Sequence, residues 1–139
     1  MSSCSLMYCK HDNVWLSMNL RDQYYNKSKY HRIHDYVPVV IVGAYGEYGD
    51  IINGQYIPLV NQITNSIYYK KANNSNVQIE YQSYCHTWKI VIHGHETIAQ
   101  ILSIVQPVPL DTLRNVYWLV RVAGDDEPMQ LQCNIKIYI

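Results

Sequence analysis

The sequence predicts a mainly β protein, a compact antiparallel barrel or sandwich preceded by an N-terminal arm and with room for one short helix. Three observations carry that prediction. Apolar and polar residues alternate in several short runs, most cleanly in Val77-Gln-Ile-Glu-Tyr81 and Leu131-Gln-Cys-Asn-Ile-Lys-Ile-Tyr-Ile139, the pattern of half-buried strands. Asn, Gly and Pro punctuate those runs at the spacing of a meander. The third is the aromatic content, 14 Tyr and 3 Trp with no Phe. Strands favour aromatic and β-branched side chains, and a Tyr hydroxyl needs a partner or water, so the tyrosines are expected at the rim of a sheet's core.

The elements follow in chain order. Residues 1–36 form the arm, because 21–36 is polar, basic and rich in Tyr without a period of two or 3.6; within it, Asn13 to Leu20 suits either a short strand or one to two helical turns. Residues 37–139 form the β domain. Val37-Pro-Val-Val-Ile-Val42 is a β-branched run ending at Gly43, and Gly43, Gly46 and Gly49 mark the loop after it. Asn53-Gly54 predicts a tight turn, since both residues tolerate positive φ, before the run Gln55-Tyr-Ile. Ile67 to Lys70, Val77 to Tyr81 and Thr87 to Ile92 are successive antiparallel strands, with Asn73-Asn-Ser-Asn76 as a turn. Thr97 to Val105 fits two structures: Ile98, Ile101, Leu102 and Val105 have helical spacing, while the β-branched content favours a strand. Pro107 and Pro109 end it. Asn115 to Ala123 is a nearly continuous apolar strand, 124–128 an acidic turn, and the last alternating run should be paired because it is so regular.

Length and charge narrow the function. A chain of 139 residues that is 48% hydrophobic can build one self-sufficient core. Eleven basic residues balance eleven acidic ones, which argues against coating a polyanion, since that takes many cationic contacts. The start lacks the basic and apolar regions of a signal peptide, and Val37 to Val42 is far short of the roughly 20 residues that span a bilayer. A soluble, intracellular protein with no membrane association is expected, with Cys4, Cys9, Cys85 and Cys133 as thiols.

The order of landmarks resembles a known module. Val42-Gly-Ala44, Asn53-Gly-x-Tyr56, Asn65, Tyr68-x-Lys70, Ile79-x-Tyr81, Trp88-x-Ile90, Ala99, Pro107-x-Pro109 and Trp118-x-Val120 are similar to a β-rich module of large, mostly uncharacterised protist and algal multidomain proteins. The likeness covers about residues 37 to 121. Two departures stand out: Asn65-Ser66 replaces the Asn-Gly of the second turn, and the stretch between Ala99 and Trp118 is longer. The resemblance implies a β fold and a recognition or scaffold role, and brings no catalytic residue with it.

Several constellations invite chemistry. Gly43-x-x-Gly46-x-x-Gly49 follows a strand, yet a phosphate loop must open onto a helix and no Lys-Ser or Lys-Thr completes it. His93 and His95 are the metal candidates, near Cys85 and His86 in sequence and near Cys133 if the last strand pairs close by. Cys85 and His86 are adjacent on an extended chain and point apart. Cys4, Cys9, His31 and His34 have gaps of four and two residues, the second tighter than the three to five between the histidines of a zinc finger. No nucleophile elbow is present, and Asp125-Asp126-Glu127 is a solvated acidic turn. The arm interleaves Tyr24, Tyr25, Tyr30 and Tyr36 with Lys27, Lys29, His31 and Arg32, a composition suited to stacking on single-stranded RNA; the neutral overall charge favours a structural arm. The expectation is therefore a non-catalytic module that needs no cofactor and recognises a protein or peptide through Tyr45, Tyr48, Tyr56 and Tyr84. RNA contact through Tyr24, Lys27, Lys29, Tyr30 and Arg32, or a metal-dependent enzyme using His93 and His95, are the alternatives.

Overall fold

The computed structural model describes residues 32–114, 116–122 and 128–139. Nine strands form one antiparallel sheet: β1 (Val39–Val42), β2 (Gly54–Val60), β3 (Ile67–Lys71), β4 (Val77–Gln82), β5 (Thr87–Ile92), β6 (Glu96–Ile101), β7 (Trp118–Val120), β8 (Gln130–Gln132) and β9 (Lys136–Tyr138). One helical turn, α1 (Gly49–Ile52), lies between β1 and β2, and 3-10 turns occupy Ile33–Asp35 and Leu110–Thr112. The mainly β prediction with one short helix holds.

Strand order is β8-β7-β6-β5-β4-β3-β2-β1-β9, a meander whose two edges are consecutive in the chain. Laid flat, nine strands would separate those edges by roughly 38 Å. The four Cα steps from Gln132 to Lys136 reach at most roughly 14 Å. The sheet therefore curls until its edges meet. All neighbours are antiparallel, so β8 and β9 run the same way and are two halves of one bent C-terminal strand: the first half pairs with β7 through Trp118↔Gln132, Leu119↔Leu131 and Val120↔Gln130, the second with β1 through Val40↔Tyr138, Ile41↔Ile137 and Val42↔Lys136.

Side-chain alternation fills the inside of the curl. Val39, Ile41, Tyr56, Tyr69, Ile79, Trp88, Ile90, Trp118 and Val120 are all buried and belong to one core. Both ends of the curl are covered by connections. At the end where β1 meets β2, α1 inserts the fully buried Ile52, and Lys71 donates from Nζ to the carbonyls of Asp50 (3.0 Å) and Ile51 (2.6 Å). At the other end, the Pro-rich stretch between β6 and β7 inserts the fully buried Leu110.

Several local expectations are corrected. For 97–105, which suited either a helix or a strand, the strand is found, and β6 ends at Ile101. A bulge explains the helical spacing, because Ile90 pairs with Ala99 but Val91 with Thr97, leaving Ile98 as an extra buried residue. Such an insertion brings positions three apart onto one face. Asn53-Gly54 is not a tight turn. Asn53 ends α1 with φ −67°, and only Gly54 has positive φ. Of the run 115–123, the described residues 116–122 are strand at Trp118–Val120. Tyr36, assigned to the arm by its polar neighbours, is a core residue only 7% exposed. The acidic turn at Asp125-Asp126-Glu127 lies outside the described residues.

Candidate functional site

The glycine loop is where the curl is sealed. Beyond the end of β1, the backbones of two successive residues are each clasped by a side-chain amide. Asn53 accepts from the Ala44 N–H (3.0 Å) and donates to its carbonyl (2.8 Å). Gln132, only 1% exposed, does the same for Tyr45 at 3.1 and 3.0 Å. Since successive backbone groups point to opposite sides of an extended chain, Asn53 extends the ladder toward β2 and Gln132 extends it toward β8. A Cβ on Gly43 would lie 2.1 Å from the Asn134 carbonyl oxygen, and one on Gly46 3.2 Å from Val122 Cγ1. The glycines thus serve close backbone approach across the seam, and the helix after them is a single turn.

The four Tyr candidates separate. Tyr45 is 50% exposed at the end of β1, and Tyr84 is 59% exposed in the turn between β4 and β5, with Lys89 Nζ 5.5 Å from its ring centroid. Antiparallel alternation puts those two at opposite ends of the curl. Tyr48 is half-buried against the core. Tyr56 is fully buried and donates to the Ile52 carbonyl at 2.7 Å, so it offers a partner no surface. Burial also holds the Tyr56 and Tyr69 hydroxyls protonated by raising their pKa.

The metal candidates separate as well. His93 and His95 are exposed in the turn between β5 and β6, where His95 Nδ1 lies 2.8 Å from the His93 carbonyl oxygen. Cys85 and His86 are buried at the opposite end of β5, and Cys133 follows β8, three places from β5 in the sheet. Among the described residues no three His, Cys, Asp or Glu side chains are grouped as a metal site would require. Of the proposed RNA contacts, Tyr24, Lys27, Lys29 and Tyr30 lie outside the described residues, as do Cys4, Cys9 and His31; Arg32 is exposed, and so is His34, 3.7 Å from Asp35.

Two residues that matter structurally were hidden in the pattern. Lys71 continues the inward alternation of Ile67 and Tyr69; the residue is 6% exposed and its ammonium reaches the end of α1. Burial lowers its pKa, while the Asp50 charge opposes that shift. Gln132 sits inward although the alternation of the last run nominates Leu131 and Cys133, which are exposed. The parity flips at the bend, so Gln132 and then Ile135 face inward.

The outer surface divides into two chemistries. On β4 to β6 its side chains are polar, half-buried at Gln78 and Glu80 and buried at Lys89 and Gln100. On β9, β1 and β2 it presents Tyr138 (56% exposed) beside Val40, then Val42 (39%), and Leu59 (36%). Tyr45 follows three residues after Val42. Fold and surface together define a small, end-capped antiparallel β domain with one apolar-aromatic strip. No protein-family model matches the chain, and neither a curated protein nor a solved structure matches it. No helix among the described residues is long and apolar enough to cross a membrane.

Proposed function

We propose that this chain is a non-catalytic recognition or scaffold module that binds a protein or peptide, in keeping with the role implied by the β-rich module it resembles. The observation that supports this reading is the strip formed by half-buried Val40 with the exposed Val42, Tyr45 and Tyr138, apolar and aromatic side chains on β1, the loop after it and β9. Tyr is favoured at interfaces because it offers a large apolar area and a polar tip, and contiguous apolar surface marks contact sites. Of the Tyr contacts expected from sequence, Tyr45 belongs to this strip, and Tyr84 would serve a separate contact at the other end.

A displayed random-peptide library, selected on the whole chain, tests the reading. Selected peptides should bind the V40K/Y138K double variant at least about tenfold more weakly, the loss of one well-packed anchor. Both positions face outward, so the core is untouched. Equal binding to the variant, or no enriched peptide, would overturn the proposal.

A further inference from the structure

We infer that the seam between β1 and β7 is a strand-acceptor site, and that its partner is the C-terminal segment, residues 128–139, of a second copy of this chain. Among the described residues this segment alone pairs with both edges of the seven-strand meander, through three register pairs on each side. Its departure uncovers two rows of backbone donors and acceptors at once, each a template for pairing. The hold on it is light. Only Gln132 and Ile135 are buried, Met129 and Ile137 are half-buried, and the other side chains are exposed. Backbone pairing and the Gln132 amide supply most of the attachment, and an identical segment from another chain supplies the same bonds.

The seam also states what fits it. An occupant must run antiparallel to both β1 and β7. It must present a carboxamide to the Tyr45 backbone and, three residues later, an apolar side chain to the core where Ile135 enters. Between them its backbone must pass against Gly43, where a Cβ would meet the Asn134 carbonyl at 2.1 Å. The segment Gln132-Cys-Asn-Ile135 meets all three demands in its own chain, so a second copy carries a fitting occupant. Exchange of an identical element is a low-cost route to a dimer. The segment carries Tyr138 of the outward strip, so the two share β9; exchange rests on backbone pairing and the inward Gln132 and Ile135, peptide recognition on outward side chains, and each has its own readout.

Mixing unlabelled and isotopically heavy full-length protein at high concentration, then separating by size and weighing the native species, tests the exchange. A dimer containing both labels should form, persist on dilution for as long as strand withdrawal is slow, and be suppressed by excess synthetic peptide 128–139. The same peptide carrying Q132A should suppress it about tenfold less effectively, having lost two hydrogen bonds. Working with peptide variants keeps the protein's own folding out of the comparison. A chain that stays monomeric and binds no peptide would overturn the inference, as would a dimer that the peptide leaves unchanged.

Discussion

Four tyrosine hydroxyls, two buried and two part-buried, explain at the residue scale why this chain uses Tyr where a core would accept Phe. Tyr36 donates to the Pro107 carbonyl (3.3 Å), Tyr81 to Val105 (2.8 Å) and Tyr56 to Ile52 (2.7 Å), and the Tyr69 oxygen accepts from the Leu110 N–H (3.0 Å). Each of these partners lies outside the strands, in α1 or in the Pro-rich stretch between β6 and β7. Pro107 and Pro109 have no N–H to give a ladder, so that stretch must be held by side chains. The rings also contact one another: Tyr36 and Tyr69 lie 6.0 Å apart, and Trp88 takes Tyr69 and Tyr81 edge-on at 5.6 and 5.5 Å. Y69F should cost about 1–2 kcal/mol in urea unfolding, since the ring remains while the buried Leu110 N–H loses its partner, and Y81F about 1 kcal/mol, its Val105 partner being part-buried. Y84F, at an exposed turn, should change stability by less than about 0.5 kcal/mol. Equal effects at all three would refute the docking role. Composition alone showed that so many hydroxyls needed partners. It could not show which tyrosines turn inward, because the partners are backbone groups more than twenty residues away for Tyr81 and Tyr69.

Closure of the seam sets the demands at the scale of elements. Gly43 and Gly94 both have positive φ, +93° and +79°, but a Cβ on Gly94 would meet nothing within 4 Å. G94A should therefore cost only the backbone preference, about 1 kcal/mol. G43A adds a collision with the Asn134 carbonyl, which is backbone and cannot swing aside, and should cost roughly 3 kcal/mol or more by thermal or urea unfolding. A similar loss for both would mean that the seam tolerates separation. The sequence shows strands well where alternation and flanking turns agree, as in β3, β4 and β5. It misleads where one residue shifts the parity: the bulge at Ile98 imitates helical spacing, and the bend after Gln132 exchanges the inner and outer faces of the final run. Both shifts serve long-range pairing, so no local window contains their cause. The glycine loop was legible as a β connection, and its role in joining the first and last described strands was not.

Proton linkage joins distant parts of the fold at the scale of the whole molecule. His86 is fully buried in the turn between β4 and β5, where its carbonyl accepts from the Val105 N–H at 2.8 Å and so anchors the covering stretch. Burial lowers its pKa below the ordinary 6.5. The unfolded chain then binds a proton at His86 more readily than the folded one, so the stability this residue permits at neutral pH declines as pH falls below about 6.5 and levels off below the folded pKa. Glu80 acts in the opposite direction. Its burial raises the carboxyl above 4.5, so the folded state takes up a proton first, and stability from this group increases as pH falls through the raised value toward 4.5. Urea unfolding from pH 7.5 to 4 should therefore show a shallower acid decline in H86N than in the native chain, Asn being suited to the positive φ of 56° at that position. E80Q should be more stable than the native chain at pH 7.5 and should show a steeper decline, because the compensating proton uptake is gone. An H86N profile parallel to the native one would assign the acid sensitivity elsewhere.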